Sequence, residues 1–127
     1  MSNTEIKIDV FGHKCYYVNG LLHREDGPAI EGFTLEWYFN GKRHREGAPA
    51  WLLGDGGEIW YHHGMIHREG GPAIKYGNGE EVWYINDKRH RLDGPAVTYR
   101  NGRKKWYING KEYSKKKFDE HVSQMNS

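Results

Sequence analysis

The chain has 127 residues, 14% of them aromatic and 28% charged, with 17 glycines, one cysteine and a formal charge of +2. That length gives a single domain over residues 1–127 with no room for a separate substrate domain, and the aromatic content excludes disorder. Cys15 alone can form neither an internal disulfide nor a cysteine-based zinc cluster, the Met1 to Glu5 start lacks the apolar run of a signal peptide, and no stretch approaches the roughly 18 apolar residues of a membrane span, so a cytoplasmic location is expected.

Glu5-Ile6-Lys7-Ile8-Asp9-Val10 alternates polar and apolar residues, the pattern of a half-buried strand. With the return Cys15-Tyr16-Tyr17-Val18 it predicts an N-terminal cap hairpin over residues 4–18. A unit then recurs: His23 to Ala29, His44 to Ala50, His67 to Ala73 and His90 to Ala96 spell nearly the same heptad, and all four prolines sit at one place in it. In phase with it run Tyr16-Tyr17, Trp37-Tyr38, Trp60-Tyr61, Trp83-Tyr84 and Trp106-Tyr107, spaced by 21, 23, 23 and 23 residues. The repeats are read as residues 19–39, 40–62, 63–85 and 86–108. Each supplies a strand opened by Gly-Pro-Ala, or by Ala48-Pro49-Ala50 in one copy, where proline's missing N–H does least harm, a glycine turn such as Asn78-Gly79 or Asn101-Gly102, and a strand ending in the aromatic pair. The expected fold is therefore mainly β: an antiparallel β-hairpin repeat array of about ten strands, near 4–10, 14–18, 28–32, 34–39, 49–53, 58–62, 72–76, 81–85, 95–99 and 104–108, in one elongated twisted meander sheet. Side chains alternate across a strand, so the tryptophans face one way and their tyrosine neighbours the other. The tryptophan side, joined by Leu35, Phe39 and Ile85, is expected to be the core, and the tyrosine side is open to being a second layer or a binding surface. After Tyr113 the pattern stops. Ser114 is a good N-cap, and Phe118, Val122 and Met125 share a helical face, so a short capping helix is expected over residues 114–125 despite the three dipole-opposed lysines of its first turn.

The Asn-Gly-Lys-Arg-His run and the period of 23 resemble the MORN repeat over about residues 15–113, and His-Arg-x-Asp-Gly-Pro-Ala resembles its MORN-like variant in bacterial, phage and large-virus proteins. The chain departs from the usual MORN form in its Trp-Tyr pair and in Gly-Pro-Ala. The resemblance implies a single-layer hairpin array used for protein–protein assembly or, in some members, phospholipid binding, with no catalytic residues and no cofactor.

The residues agree in offering no enzyme: no nucleophile elbow, phosphate loop or metalloprotease motif occurs, and Glu80 and Glu81 are adjacent, hence on opposite strand faces. Equivalent histidines two strands apart, about 10 Å, cannot share an ion. Each His-Arg pair is read as structural, bonding loop carbonyls or stacking on its neighbour, with Arg24, Arg45, Arg68 and Arg91 facing Asp26, Glu46, Glu69 or Asp93. His62-His63 with His67 is the one local histidine group, and no metal site is assigned to it. What folding does not explain is departure from the repeat: Leu21, Leu22, Trp51, His62, His63, Met65 and Ile66, which together suggest a surface for a protein partner or a second copy. The competing surface is basic. Residues 88–117 carry 11 Lys/Arg against 2 Asp/Glu, and Arg89, Arg91, Arg100, Arg103, Lys104, Lys105 and Lys111 form a candidate site for nucleic acid, nucleotide or anionic lipid.

Overall fold

The computed structural model describes residues 3–126. The alternating N-terminal segment forms β1 (Thr4–Ile8), paired antiparallel with β2 (Lys14–Val18), and Leu21–Leu22 (β3) returns on β2. Three groups of four short strands follow. They are β4 to β7 (Ile30–Glu31, Leu35–Glu36, Tyr38–Phe39, Lys42–Arg43), β8 to β11 (Trp51–Leu52, Glu58–Ile59, Tyr61–His62, Met65–Ile66) and β12 to β15 (Ile74–Lys75, Glu81–Val82, Tyr84–Ile85, Lys88–Arg89). The last repeat gives β16 (Val97–Thr98), β17 (Lys104–Ile108) and β18 (Lys111–Tyr113), and Lys115–Met125 is helix α1.

Among the described residues eighteen strands thus stand where about ten were expected, because the strand through the aromatic pair changes partners at the tryptophan. The Trp37 amide donates to the Ala50 carbonyl, in the direction of the main sheet, whereas its own carbonyl accepts from the His44 amide on the returning strand (2.7 and 3.0 Å). Trp60 and Trp83 repeat this split with Ala73 and His67, and with Ala96 and His90. The first half of each strand enters a 12-stranded sheet in the order β1-β2-β4-β5-β8-β9-β12-β13-β16-β17-β18, with β3 beside β2; the second halves form the separate hairpins β6-β7, β10-β11 and β14-β15. These hairpins also stack, since Gly41, Gly64 and Gly110 donate to Leu22, Arg43 and Arg89 carbonyls at 2.8 Å. Their turns need a left-handed residue, and Asn40, His63, Asn86 and Asn109 supply it with φ of 47–49°.

Register fixes which face is buried. Directly paired residues give one row, Cys15, Ile30, Glu36, Trp51, Ile59, Ile74, Val82, Val97 and Lys105, and a second, Lys14, Glu31, Leu35, Leu52, Glu58, Lys75, Glu81, Thr98 and Lys104. The first is apolar except at Glu36 and Lys105 and shares its parity with Tyr38, Tyr61, Tyr84 and Tyr107; the second is charged at six of its nine places, with Glu58, Lys75 and Glu81 alternating in sign. The core cluster of Ile74, Val82, Ala96, Val97 and Tyr107 accordingly carries the tyrosine row. The expectation that the tryptophan side is the core is corrected: Trp83 borders that cluster, but the tryptophans are covered mainly by arginines, described below. Ala29, Ala50, Ala73 and Ala96 are fully buried, so the alanine of the heptad is the residue small enough to let one loop close on the next strand.

At the C-terminal end the Ser114 hydroxyl accepts from the Lys117 amide (3.2 Å) and Phe118 is 4% exposed. Burying that ring contributes on the order of 1.5–3 kcal/mol, and the Lys115–Asp119 ion pair (2.8 Å) offsets part of the dipole penalty. No helix among the described residues is long and apolar enough to cross a membrane.

Candidate functional site

The His-Arg heptad folds the same way four times. Arg24, Arg45, Arg68 and Arg91 each curl back so that Nη1 donates to the carbonyl of Pro28, Pro49, Pro72 and Pro95, in every case at 3.1 Å. The same guanidiniums lie over the rings of Tyr16, Trp37, Trp60 and Trp83 at 3.8–4.0 Å. The curl leaves little room for a side chain before the proline in two loops, where a Cβ on Gly71 or Gly94 would stand 2.7 or 2.9 Å from the arginine Cζ, whereas Ala48 holds that place in the loop of Arg45. Arg24 and Arg91 also hold Asp26 and Asp93 at 3.0 and 2.8 Å. Arg45 and Arg68 do not hold Glu46 and Glu69, contrary to expectation: Gly47 and Gly70, with φ of 72° and 80°, replace the aspartates, and the glutamates turn to the histidines.

Each heptad histidine ties its loop to the next repeat. The Nδ1 atoms of His23, His44, His67 and His90 accept from the amides of Asn40, His63, Asn86 and Asn109 at 2.8–3.1 Å. An accepting Nδ1 places the ring proton on Nε2, which in the first three points at Glu25, Glu46 and Glu69 (3.5, 2.9 and 3.9 Å).

The departures from the repeat separate into two groups. Trp51 and Ile66 are half-buried, and each answers an internal need. Glu36, 8% exposed, stands in the apolar row and is met by Arg43 Nε and Nη2 (3.0 and 2.8 Å), with the Thr34 and Tyr38 hydroxyls donating from 3.3 and 3.4 Å. Arg43 in turn lies 4.4 Å from the Trp51 ring, with Tyr38 and Tyr61 at 5.3 and 5.5 Å. Burial works against its charge, yet the Glu36 bonds hold the guanidinium above its ordinary value. One repeat later Ile59 and Ile66 occupy the equivalent places and pack on the core. Sequence reasoning missed this pair, although Glu36 in line with Ile59 and Val82 was a visible signal. Leu22 is likewise half-buried. Left at the surface are Leu21 and Met65, 48% and 37% exposed, together with Phe39 and His63.

Phe39 and His63 border a groove of about 830 Å³ between the loops of successive repeats, with Trp37 also in its lining, Arg24 to Gly27 on one side and His44, Arg45 and Glu46 with His63 on the other. Glu25, Asp26 and Glu46 give it an exposed acidic rim. His62 and His63 meet His44 here, with ring centroids 4.9 and 4.1 Å away, whereas His67 is 5.8 Å from His62. The local histidine group therefore takes its third member from the preceding loop. Desolvation, with the His44 and His62 imidazoles beside it, pushes His63 below its ordinary value.

The basic residues do not act as one patch. Arg91 is held by Asp93, Pro95 and Trp83, Arg89 reaches the Tyr84 and Tyr107 hydroxyls (3.4 and 3.2 Å), and Lys111 lies over Tyr113. Arg100, Arg103, Lys104 and Lys105 cluster at the β16–β17 turn and make no ion pair among the described residues. No protein-family model, curated protein or solved structure matches the chain.

Proposed function

We propose that the chain is a non-enzymatic binding module that acts through protein–protein contacts along its loop edge, as its likeness to MORN-like assembly arrays implies. The observation that carries this reading is the groove over Trp37 and Phe39, whose apolar lining and acidic rim suit an extended segment bearing apolar and basic side chains. Leu21 and Met65 lie on the hairpins stacked on either side of the one that carries Phe39, and both are exposed enough to change without touching the core. The test is capture of partners from lysate by the wild type and by a Leu21→Lys/Phe39→Lys/Met65→Lys variant of matched circular dichroism. Loss of a saturable partner in the variant supports the reading, and equal recovery of every protein by both forms overturns it. Light scattering across a concentration series reads out whether a second copy is that partner.

The four unpaired cations at the β16–β17 turn favour a second reading, polyanion binding. Oligonucleotide affinity should then fall with a log–log salt slope near −0.7 for each single-strand phosphate neutralised, and Arg103→Glu/Lys104→Glu should abolish it. Absence of low-salt anisotropy change with oligonucleotides, together with no sedimentation on anionic liposomes, removes this reading.

A further inference from the structure

His44, His62 and His63 each offer one ring nitrogen within 4.8 Å of the other two. A carboxylate joins them, since Glu46 Oε1 is 2.9 Å from His44 Nε2 and 3.7 Å from His62 Nε2. We propose that His44, His62, His63 and Glu46 form a binding site for a divalent late transition-metal ion of the Zn²⁺ class. It would draw two ligands from a loop and two from the hairpin of the next repeat.

The geometry is close to what the ion needs. Bonds of about 2.0–2.1 Å in a tetrahedron separate ligand atoms by about 3.3 Å, and the two Glu46 separations already bracket that value. The remaining edges close by up to about 1.5 Å, within reach of χ rotations of His62 and the exposed His63. His44, with a side chain 10% exposed, is the fixed point on which they close. Three imidazoles and one carboxylate suit Zn²⁺, Ni²⁺ or Cu²⁺ and are poor ligands for Mg²⁺ or Ca²⁺.

The repeat itself sets these residues apart. His62 stands where other repeats have Phe39, Ile85 and Ile108, and His63 stands where they have Asn40, Asn86 and Asn109. The turn asks only for a left-handed residue at the second place, and asparagine meets that need at the same φ. Neither packing nor turn chemistry accounts for two consecutive imidazoles against a third.

The proton balance yields a distinctive signature. His44 Nδ1 accepts from the His63 amide, so its ring proton is on Nε2. Coordination at Nε2 displaces that proton, and a neutral coordinated imidazole carries its own on Nδ1. The ion therefore exchanges the His63 amide bond for coordination, and one proton migrates without net release from His44.

The experiment titrates ZnCl₂ into the chelator-stripped full chain by calorimetry and by ¹⁵N NMR, with MgCl₂ in parallel. Expected are one Zn²⁺ per chain at micromolar affinity or tighter, a melting temperature that rises with Zn²⁺, no response to Mg²⁺, and a shifted, faster-exchanging His63 amide. His62→Phe/His63→Asn restores the residues of the preceding repeat and should fold, yet weaken Zn²⁺ at least 100-fold; Glu46→Gln should weaken it about tenfold. No saturable Zn²⁺ binding overturns the proposal, as does undiminished affinity in the double variant. Should that variant misfold, the wild-type imidazole resonances decide: Zn²⁺ must move His44, His62 and His63 and leave His13, His23, His67, His90 and His121 in place.

Discussion

A single arginine per repeat does three things at once: it stacks on an aromatic ring, closes its own loop through a proline carbonyl, and in the first and last loops holds an aspartate. Lysine could not replace it, because only the planar guanidinium stacks while donating in its own plane. In the first loop the same Arg24 reaches Glu31 at 2.7 Å, and a hydrogen bond from the Tyr16 hydroxyl, with Arg24 beside it, holds the Glu31 carboxyl below its ordinary value. A depressed folded value means that the stabilisation is complete above the ordinary carboxylate range and is lost as pH falls through the folded value. Asp9 and Asp93 are depressed as well, so the wild type should lose melting temperature progressively as pH falls below about 5. Glu31→Gln should melt lower than wild type at neutral pH, and the gap should narrow as the solution becomes acid, because a protonated Glu31 resembles glutamine. Melting curves across that range check the sign, and a gap that widened on acidification would refute the assignment.

Within an element, the strand that breaks at its tryptophan decides what each repeat can bury. β5 and β7 bring Glu36 to Arg43, and the equivalent β9 and β11 bring Ile59 to Ile66, so one chain carries an ionic and an apolar solution to the same space. Breaking a buried pair leaves an uncompensated charge and costs about 3–5 kcal/mol, whereas replacing both partners with apolar residues is often neutral or stabilising. Glu36→Ile and Arg43→Ile should each destabilise by that order, less for Glu36→Ile, because the Arg43 it leaves unpaired has a side chain 31% exposed whereas Arg43→Ile strands the 10% exposed Glu36 side chain. The double variant should return to within about 1 kcal/mol of wild type, with the native β9 and β11 as its template. Denaturant unfolding of the four forms measures the coupling, and additive losses would show that the pair does not act as a unit. The repeat phase and the turn positions were legible because Asn-Gly and Gly-Pro-Ala impose local backbone geometry. The buried face was not, since Trp37 and Tyr38 are equally apolar and the choice is made by Arg45 arriving from the following loop. The meeting of His44 with His62 was hidden for a related reason: it depends on hairpins stacking sideways, a contact that strand alternation does not encode.

Across the whole molecule the sheet is a one-dimensional array in which each repeat touches its neighbours, so its ends are the places where the bonding scheme has no continuation. At the N-terminal end, Ile6 and Ile8 of the edge strand β1 stay 55% and 63% exposed. At the other end, Trp106 has no following heptad to cover it. Helix α1 takes that role: Phe118, Val122 and Ser123 line a groove with Trp106, Leu92 and Pro95, and the helix contacts both β17 and β18. Phe118 is its one buried residue. Phe118→Ala should therefore cost about 3–5 kcal/mol locally. In an array the loss should not spread evenly, because each repeat is coupled to its neighbours by a limited set of bonds, such as the Gly110 amide on the Arg89 carbonyl. Native-state hydrogen exchange should show protection falling first in β16, β17 and β18, then in β14 and β15, while the β1–β2 amides keep wild-type rates. A uniform fall over the whole sheet would mean that the chain unfolds as one cooperative block and that α1 is part of a common core rather than a cap.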